Sequence, residues 1–553
     1  MPPRATTFGF PLGGQPRSAF TYQTLDPTQG LRLDVTPSNL EPGQASVASN
    51  VVLRYGAIQC RPGFEVDATG QPVSSATSWR QTGFRGALFT DPNAGTDYRF
   101  LFEGPAAAFY GGTATGTSVA SYISSLGTSL EYSVSTGAFA DPQQPVVFRN
   151  AYDVTADDWS LVWAVDRAEL PPYQWFSSNT TYTHLTDDIR AHFITPFDNR
   201  LMAWNSRYSG DPQMYPTRVI WSDRGDIRAW DPSATTVSAG FEDLLDMAGR
   251  GTWIEGFDQR VILFSDREIW QGYVGTPPFT FLFSPVNRQL GVVYGQTVKH
   301  TPIGLMFVAS DGRAYALGQD TALRHISKAV DRRGLGTRAV YDPMTRQYRV
   351  FHSDNSTVYA AFDIEAGAWS EGAVSVLTTG TDGGNGVHDV WSGERDTYGI
   401  ADLPNPGIGE PTMFYTSGLT AYAADPSAVF GKNGDSGSSA VAGPSAVPVN
   451  PATMDWRGPV FTGAVNRSVT VRAVGLDYRS DQTSHATVGV SYDGGATFPS
   501  ESRITLVPTT GNAESRVTAW LYGSGGKPVV RVQSSQTSQA ITRLHVEGQI
   551  GGR

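Results

Sequence analysis

Among 553 residues there is one cysteine, Cys60. A single thiol forms no intrachain disulfide and no cysteine-rich zinc site, which excludes a disulfide-stapled secreted scaffold. Lysine is nearly as scarce: Lys299, Lys328, Lys432 and Lys527 are the four present, and the other basic residues are arginine. Arginine favours bidentate pairing at interfaces, although a GC-rich genome produces the same bias. Charged residues make up 17% of the chain, below the usual ~25%. Disorder needs high charge and few aromatics, and this chain has neither. No apolar run approaches the ~18 residues that span a bilayer. The opening MPPRATTFGFPLGG holds no apolar run either, so no signal peptide is expected. Helical periodicity is confined to FEDLLDMAG (241–249), for which one short helix is predicted.

What is present in quantity is glycine (60), proline (35) and aromatics (13 Trp, 23 Tyr, 27 Phe). Many aromatics between many turns describe an all-β chain of short strands. The length exceeds what one core usually supports and predicts two or three domains. The net charge of -11 opposes a protein that grips phosphates, which needs clustered Lys and Arg. It is compatible with a wall along which a polyanion slides without sticking.

The middle of the chain repeats. NRLMAW (199–204) is followed by TRVIWSDRGDIRAW (217–230), then DQRVILFSDREIWQGY (258–273), IGLMFVASDGRAYALG (303–318) and TRQYRVFHSDNSTVYAAFDIEAGAWS (345–370). Each unit reads as an apolar strand, a Ser-Asp turn and a second strand ending in an aromatic. Asp223, Asp266, Asp311 and Asp354 recur at spacings of 43, 45 and 43 residues. A four-stranded propeller blade takes ~40–45 residues, and the window from 75 to 420 holds roughly six to eight of them. Aspartate suits such a turn because its carboxylate accepts hydrogen bonds from the next backbone amides. The expected architecture is therefore all-β: a β-propeller with an N-terminal arm and first hairpin (1–70) and a C-terminal β-sandwich. The propeller is expected over 71–430. A Gly/Ser-rich linker or loop follows at 431–451, and the sandwich occupies 452–553 as alternating strands with Gly-rich turns.

The most specific segment is LEPGQASVASNVVLRYGAIQCRPGF (40–64). Physically it is a hairpin: a Pro-Gly turn, a strand at Val51–Leu53, a turn at Gly56, a return strand and a second Pro-Gly stop. The combination of Gln44, Asn50, Gly56, Arg61 and Pro62 resembles the opening of the tail tubular protein B, or nozzle, family of short-tailed bacteriophages. The close match covers about 25 residues. The resemblance implies a hexameric ring below the portal and adaptor, a non-enzymatic subunit of the virion tail made in the host cytoplasm. Phage DNA would pass through the ring without specific binding and without any cofactor, and the tip would be available for host-surface contact. The C-terminal sandwich departs from that pattern. The alternative expectation is a receptor- or carbohydrate-binding propeller tail protein, with or without glycan hydrolysis. A WD40-type scaffold is disfavoured because the units lack Gly-His and Trp-Asp marks.

Other motifs read as architecture. Ser491, Asp493, Gly495, Thr497 and Phe498 form an Asp-box-like hairpin turn, with Phe498 where Trp is usual. Arg224-Gly225-Asp226 lies in a repeat turn, and the integrin tripeptide it spells is taken as coincidence. His184 and His192 have no metal spacing such as HExxH. Thr381–Gly386 lacks the alternating acids of a calcium loop. No Walker loop and no GxSxG elbow occur, so neither catalytic residues nor metal ligands are assigned. Glu242, Asp243 and Asp246 are candidates to face a DNA channel.

Overall fold

A computed structural model describes the chain between residues 20 and 550, apart from the segments 70–83, 114–129, 132–145, 375–388, 396–409 and 426–452 and shorter stretches. The expected linker (431–451), Pro62, Asp354 and 381–386 lie outside the described residues. The chain is all-β, with short 3-10 turns as its helical component among the described residues.

Seven four-stranded antiparallel meanders are described. The second to sixth begin with Val146–Asp153, Ile189–Phe197, Gly251–Phe257, Lys299–Thr301 and Arg338–Asp342. The first begins with Phe84–Asp91. The seventh begins with Asp389–Arg395, and its fourth strand is Gly63–Thr69, paired to Thr420–Asp425. The opening strand of each sheet lies beside that of its neighbour, and Asp389–Arg395 touches both Arg338–Asp342 and Phe84–Asp91. Between the fourth and fifth sheets the turn Gly295–Thr297 fills the same role, resting on Gly251–Phe257 and Arg338–Asp342. The sheets therefore close a ring.

This arrangement explains the apolar runs. Second strands such as Gly304–Val308 and Gln347–Phe351 are buried at every position, because neighbouring sheets cover both faces, and a strand so enclosed loses the apolar–polar alternation. Tryptophans stitch sheet to sheet. Trp204 is fully buried and donates its Nε1–H to the Phe264 carbonyl of the next sheet at 3.0 Å. Gly251 makes room for it: a Cβ there would stand 2.4 Å from the indole nitrogen. Trp369 donates to the Ile326 carbonyl at 2.7 Å and joins the sixth sheet to the fifth.

The sixth sheet does not end at its fourth strand. Ala368–Ala373 meets Val47–Ser49 in parallel, and the ladder runs on through Met454–Val460, Val529–Ser534, Ser484–Ser491 and Ser500–Leu506, nine strands in all. A second sheet faces this extension. It contains Val51–Arg54, Ala57–Cys60, Gln539–Ile550, Val469–Ser480 and Ser515–Gly525, with Phe20–Leu25 paired along Gln539–Ile550. One apolar cluster runs from Met306, Tyr348 and Val350 in the fifth and sixth sheets to Trp456, Val488, Leu476 and Leu544 in the two facing sheets.

Two expectations change and one is met. The segment 1–70 is not a separate arm in its described part. Its strands from 20 to 60 are built into the C-terminal sheets, and 63–69 completes the seventh meander. The hairpin around Gly56 is present, with Val51–Arg54 paired to Ala57–Cys60 and Gly56 at φ 67°. The predicted helix at 241–249 is absent: Gly240–Asp243 is an edge strand paired to Tyr215–Trp221, followed by turns. Leu244 and Met247 are buried at a helix-like spacing, but the ladder claims the backbone before them.

Candidate functional site

Two signature residues, Asn50 and Arg61, meet at one junction. Asn50 ends Val47–Ser49 in the left-handed region (φ 55°), a conformation asparagine tolerates better than most residues. There its side chain serves three partners. Oδ1 accepts from Arg61 Nε at 3.0 Å and from the Ala373 amide at 3.2 Å, and Nδ2 donates to the Thr453 carbonyl at 3.2 Å. The Asn50 amide donates to the Glu371 carbonyl at 2.6 Å, and the Arg61 amide to the Asn50 carbonyl at 3.0 Å. Arg61 is buried and also donates from Nη2 to the Ala373 carbonyl at 2.5 Å. Gln44, also buried, accepts from the Glu41 amide at 2.9 Å and closes the preceding turn. The junction ties the hairpin, the outer strand of the sixth sheet and the entry to Met454–Val460.

The Ser-Asp turns are capped by their side chains in different ways. Asp223 accepts from the amides of Arg224 and Ser238. Asp311 accepts from the Arg313 amide and the Tyr315 hydroxyl. Asp266 accepts instead from the Arg250 amide of a neighbouring loop. Ser265-Asp266 and Ser310-Asp311 both follow second strands, whereas Ser222-Asp223 follows the third strand of its sheet. The 43-residue step from Asp223 to Asp266 thus joins unlike positions. Arg224-Gly225-Asp226 sits in the same turn, with Gly225 at φ 82° and Arg224 paired to Asp198 at 3.0 Å.

Glu242, Asp243 and Asp246 stand at or just beyond the outer edge strand of the third sheet, far from the opening strands inside the ring. Asp243 is engaged by Arg218 through two bonds of 2.6 and 2.8 Å, and Glu242 and Asp246 are exposed. They do not line the inside of this ring of sheets.

The inside of the ring holds a cluster that sequence reasoning missed. Arg149 on the second sheet, Glu255 on the fourth and His300 on the fifth meet past the third. Arg149 Nη2 lies 2.7 Å from Glu255 Oε2, His300 Nε2 lies 3.2 Å from Oε1, and Trp253 Nε1 donates to Oε2 at 3.0 Å. Burial pushes the Glu255 carboxyl up, but the Arg149 charge and the bonds from His300 and Trp253 outweigh it and hold the group below the usual carboxylate range. A general acid of glycoside hydrolysis needs the opposite shift. Glu255 is a strut. Its sequence signal was a lone carboxylate inside the apolar strand GTWIEGF. No family model matches the chain, and no curated protein matches it. Among solved structures it is similar to an exo-beta-1,3-galactanase from Phanerochaete chrysosporium at 9% identity, with 87% of this chain and 85% of that chain covered and a TM-score of 0.22. It is also similar to a family 43 arabinoxylan arabinofuranohydrolase from Bacillus subtilis at 10% identity, with 88% and 99% covered and a TM-score of 0.19. Likenesses this weak carry no argument about chemistry.

The Asp-box-like turn is fully formed. Asp493 accepts from the amides of Ala496 and Thr497 at 3.0 Å each and from the hydroxyls of Thr497 at 2.6 Å and Ser491 at 2.5 Å. These bonds hold its carboxyl far below the usual range. Gly494 and Gly495 take φ of 80° and 95°. Phe498 lies under the guanidiniums of Arg531 and Arg457, 4.0 and 5.3 Å from its ring centre. His184 pairs with Asp187, and buried His192 meets Arg250 at 3.2 Å. Among the described residues no group of three or more His, Cys, Asp or Glu is placed to hold a metal, and no helix is long and apolar enough to cross a membrane.

Proposed function

We propose that the chain is the nozzle subunit of a short-tailed phage tail: a seven-bladed β-propeller whose sixth blade runs on into a C-terminal β-sandwich, several copies of which form a ring. The observation that carries this reading is the Asn50–Arg61 junction. Two residues of the nozzle resemblance, Asn50 and Arg61, fasten the sandwich to the propeller, as expected of a signature that is architectural. A subunit under load at a tail tip needs such a fixed joint, and the continuous core across it serves the same end. The ring has six copies, sits below portal and adaptor, and conducts DNA between copies, past a chain of net charge -11. Heterologous contacts that close on rotation suit a single chain type. Immunogold labelling of intact virions tests the reading. Label at the distal tail tip, with six-fold end views of the purified full chain, is the expected result. Label on peripheral fibres overturns it.

A further inference from the structure

The strand Ser515–Gly525 is the edge of the second C-terminal sheet, hydrogen-bonded on one side to Val469–Ser480. Its alternation sends Ala519 and Leu521 into the core and Trp520 and Tyr522 outward, 62% and 74% exposed. Between them and the neighbouring strands lies an open hollow of about 470 Å³, within the size range of ligand sites. Gly523 lines it as well, its inner side closed by the Tyr492 ring. Thr470 and Ser524 add hydroxyl-bearing residues to its lining, and Arg472 and Glu547 bring one charge of each sign. Gln549 accepts from Arg472 Nη2 at 2.6 Å and fixes its direction.

We propose that this hollow binds a neutral oligosaccharide, the rings of Trp520 and Tyr522 lying against sugar C–H faces. The hydroxyl groups of the sugar would be met by Thr470, Ser524, Arg472 and Glu547. Two aromatic side chains expose together roughly 300 Å² here, taking 150–250 Å² for each. That area is enough for one or two sugar rings, whereas a stable interface between copies, at about 800 Å² per partner, would have to reach well beyond the two rings. A single-stranded nucleic acid also stacks on aromatics but requires a positively charged groove, and the hollow balances Arg472 with Glu547. The proposal is independent of the ring reading.

Tryptophan fluorescence and calorimetric titration of the full chain with maltotetraose, cellotetraose and chitotetraose test it. Saturable binding of at least one is expected, weakened at least about tenfold by Trp520→Ala and by Tyr522→Ala. Phe279→Ala, which removes an equally exposed ring on the fourth sheet's loop, leaves binding unchanged. No saturation by any of the three up to about 10 mM overturns the proposal. So does binding indifferent to both aromatic variants, or stronger binding of oligo-dT. A fall in oligomeric state caused by Trp520→Ala in sedimentation would also overturn it, and would assign the face to contacts between copies.

Discussion

Removing the Asn50 side chain should loosen the joint between the sixth sheet and the C-terminal sheets. In Asn50→Gly the left-handed backbone is kept, so the loss is that of the side-chain bonds alone. The Ala373 amide and Arg61 Nε lose their acceptor, and the Thr453 carbonyl loses a donor. An orphaned buried group costs about 1–3 kcal/mol, and bonds to a charged group are the stronger ones. With partial relaxation, Asn50→Gly should cost about 2–4 kcal/mol. Asn50→Ala should cost about 1 kcal/mol more, because alanine pays for φ near 55°. Arg61→Ala combined with Asn50→Gly should show a coupling of about 1–3 kcal/mol, as expected for residues in direct contact. Urea unfolding followed by tryptophan fluorescence reads the sum, and hydrogen exchange reads its location at residues 47–61 and 368–373. If Asn50→Gly and Asn50→Ala both stay within about 0.5 kcal/mol of the wild type, the junction does not hold the two parts together and the architectural reading of the signature fails.

Three further outcomes follow from the same geometry. Asp363 is 1% exposed, its Oδ1 accepts the turn amides of Glu365 and Ala366, and burial raises its pKa to about 6. A raised carboxyl contributes stability that is present below pH about 4 and lost as pH rises through about 6, so Asp363→Asn should gain roughly 2–3 kcal/mol at pH 7 and flatten the stability slope between those values, read by melts across pH. Glu255→Ala leaves part-buried Arg149 against Trp253 without its carboxylate and should cost about 2–3 kcal/mol in urea unfolding; a neutral effect would show that the cluster does not tie the sheets together. Asp493→Ala should abolish exchange protection of the Ala496 and Thr497 amides while the rest of the protein exchanges as before, and retained protection would refute its capping role.

The strands of the repeat region were legible because enclosure on both faces turns them into short continuous apolar runs: Leu201–Trp204, Val261–Phe264 and Leu305–Val308. Phase was harder to read. The third sheet carries a long excursion between Trp221 and Gly240, so a Ser-Asp pair after its third strand mimicked the pairs after second strands elsewhere. The helix expected at 241–249 failed for a related reason. Leu244 and Met247 have helical spacing, but Arg218 stacks on Tyr215 and Phe241 and clamps Asp243, and the strand ladder wins. The partners of 20–60 were not legible at all, since the ladders that receive those residues come from distant sequence and local pattern contains no record of them. Glu255 and the Trp520–Tyr522 pair left signals, a charge in an apolar strand and aromatics on the polar beat of an alternating one.

The pairing of Phe20–Leu25 with Gln539–Ile550 sets an order on biosynthesis. At about 5–20 residues per second, a ribosome needs roughly half a minute or more to travel from one strand to the other. Throughout that interval the early strand has no ladder to join, and Gly63–Thr69 likewise waits for Thr420–Asp425. Both closures have high contact order and come late. A chain interrupted anywhere before its last strand therefore carries open sheet edges and cannot complete its joint. Edges left open in this way are templates for pairing with other chains, so an arrested product is prone to aggregate.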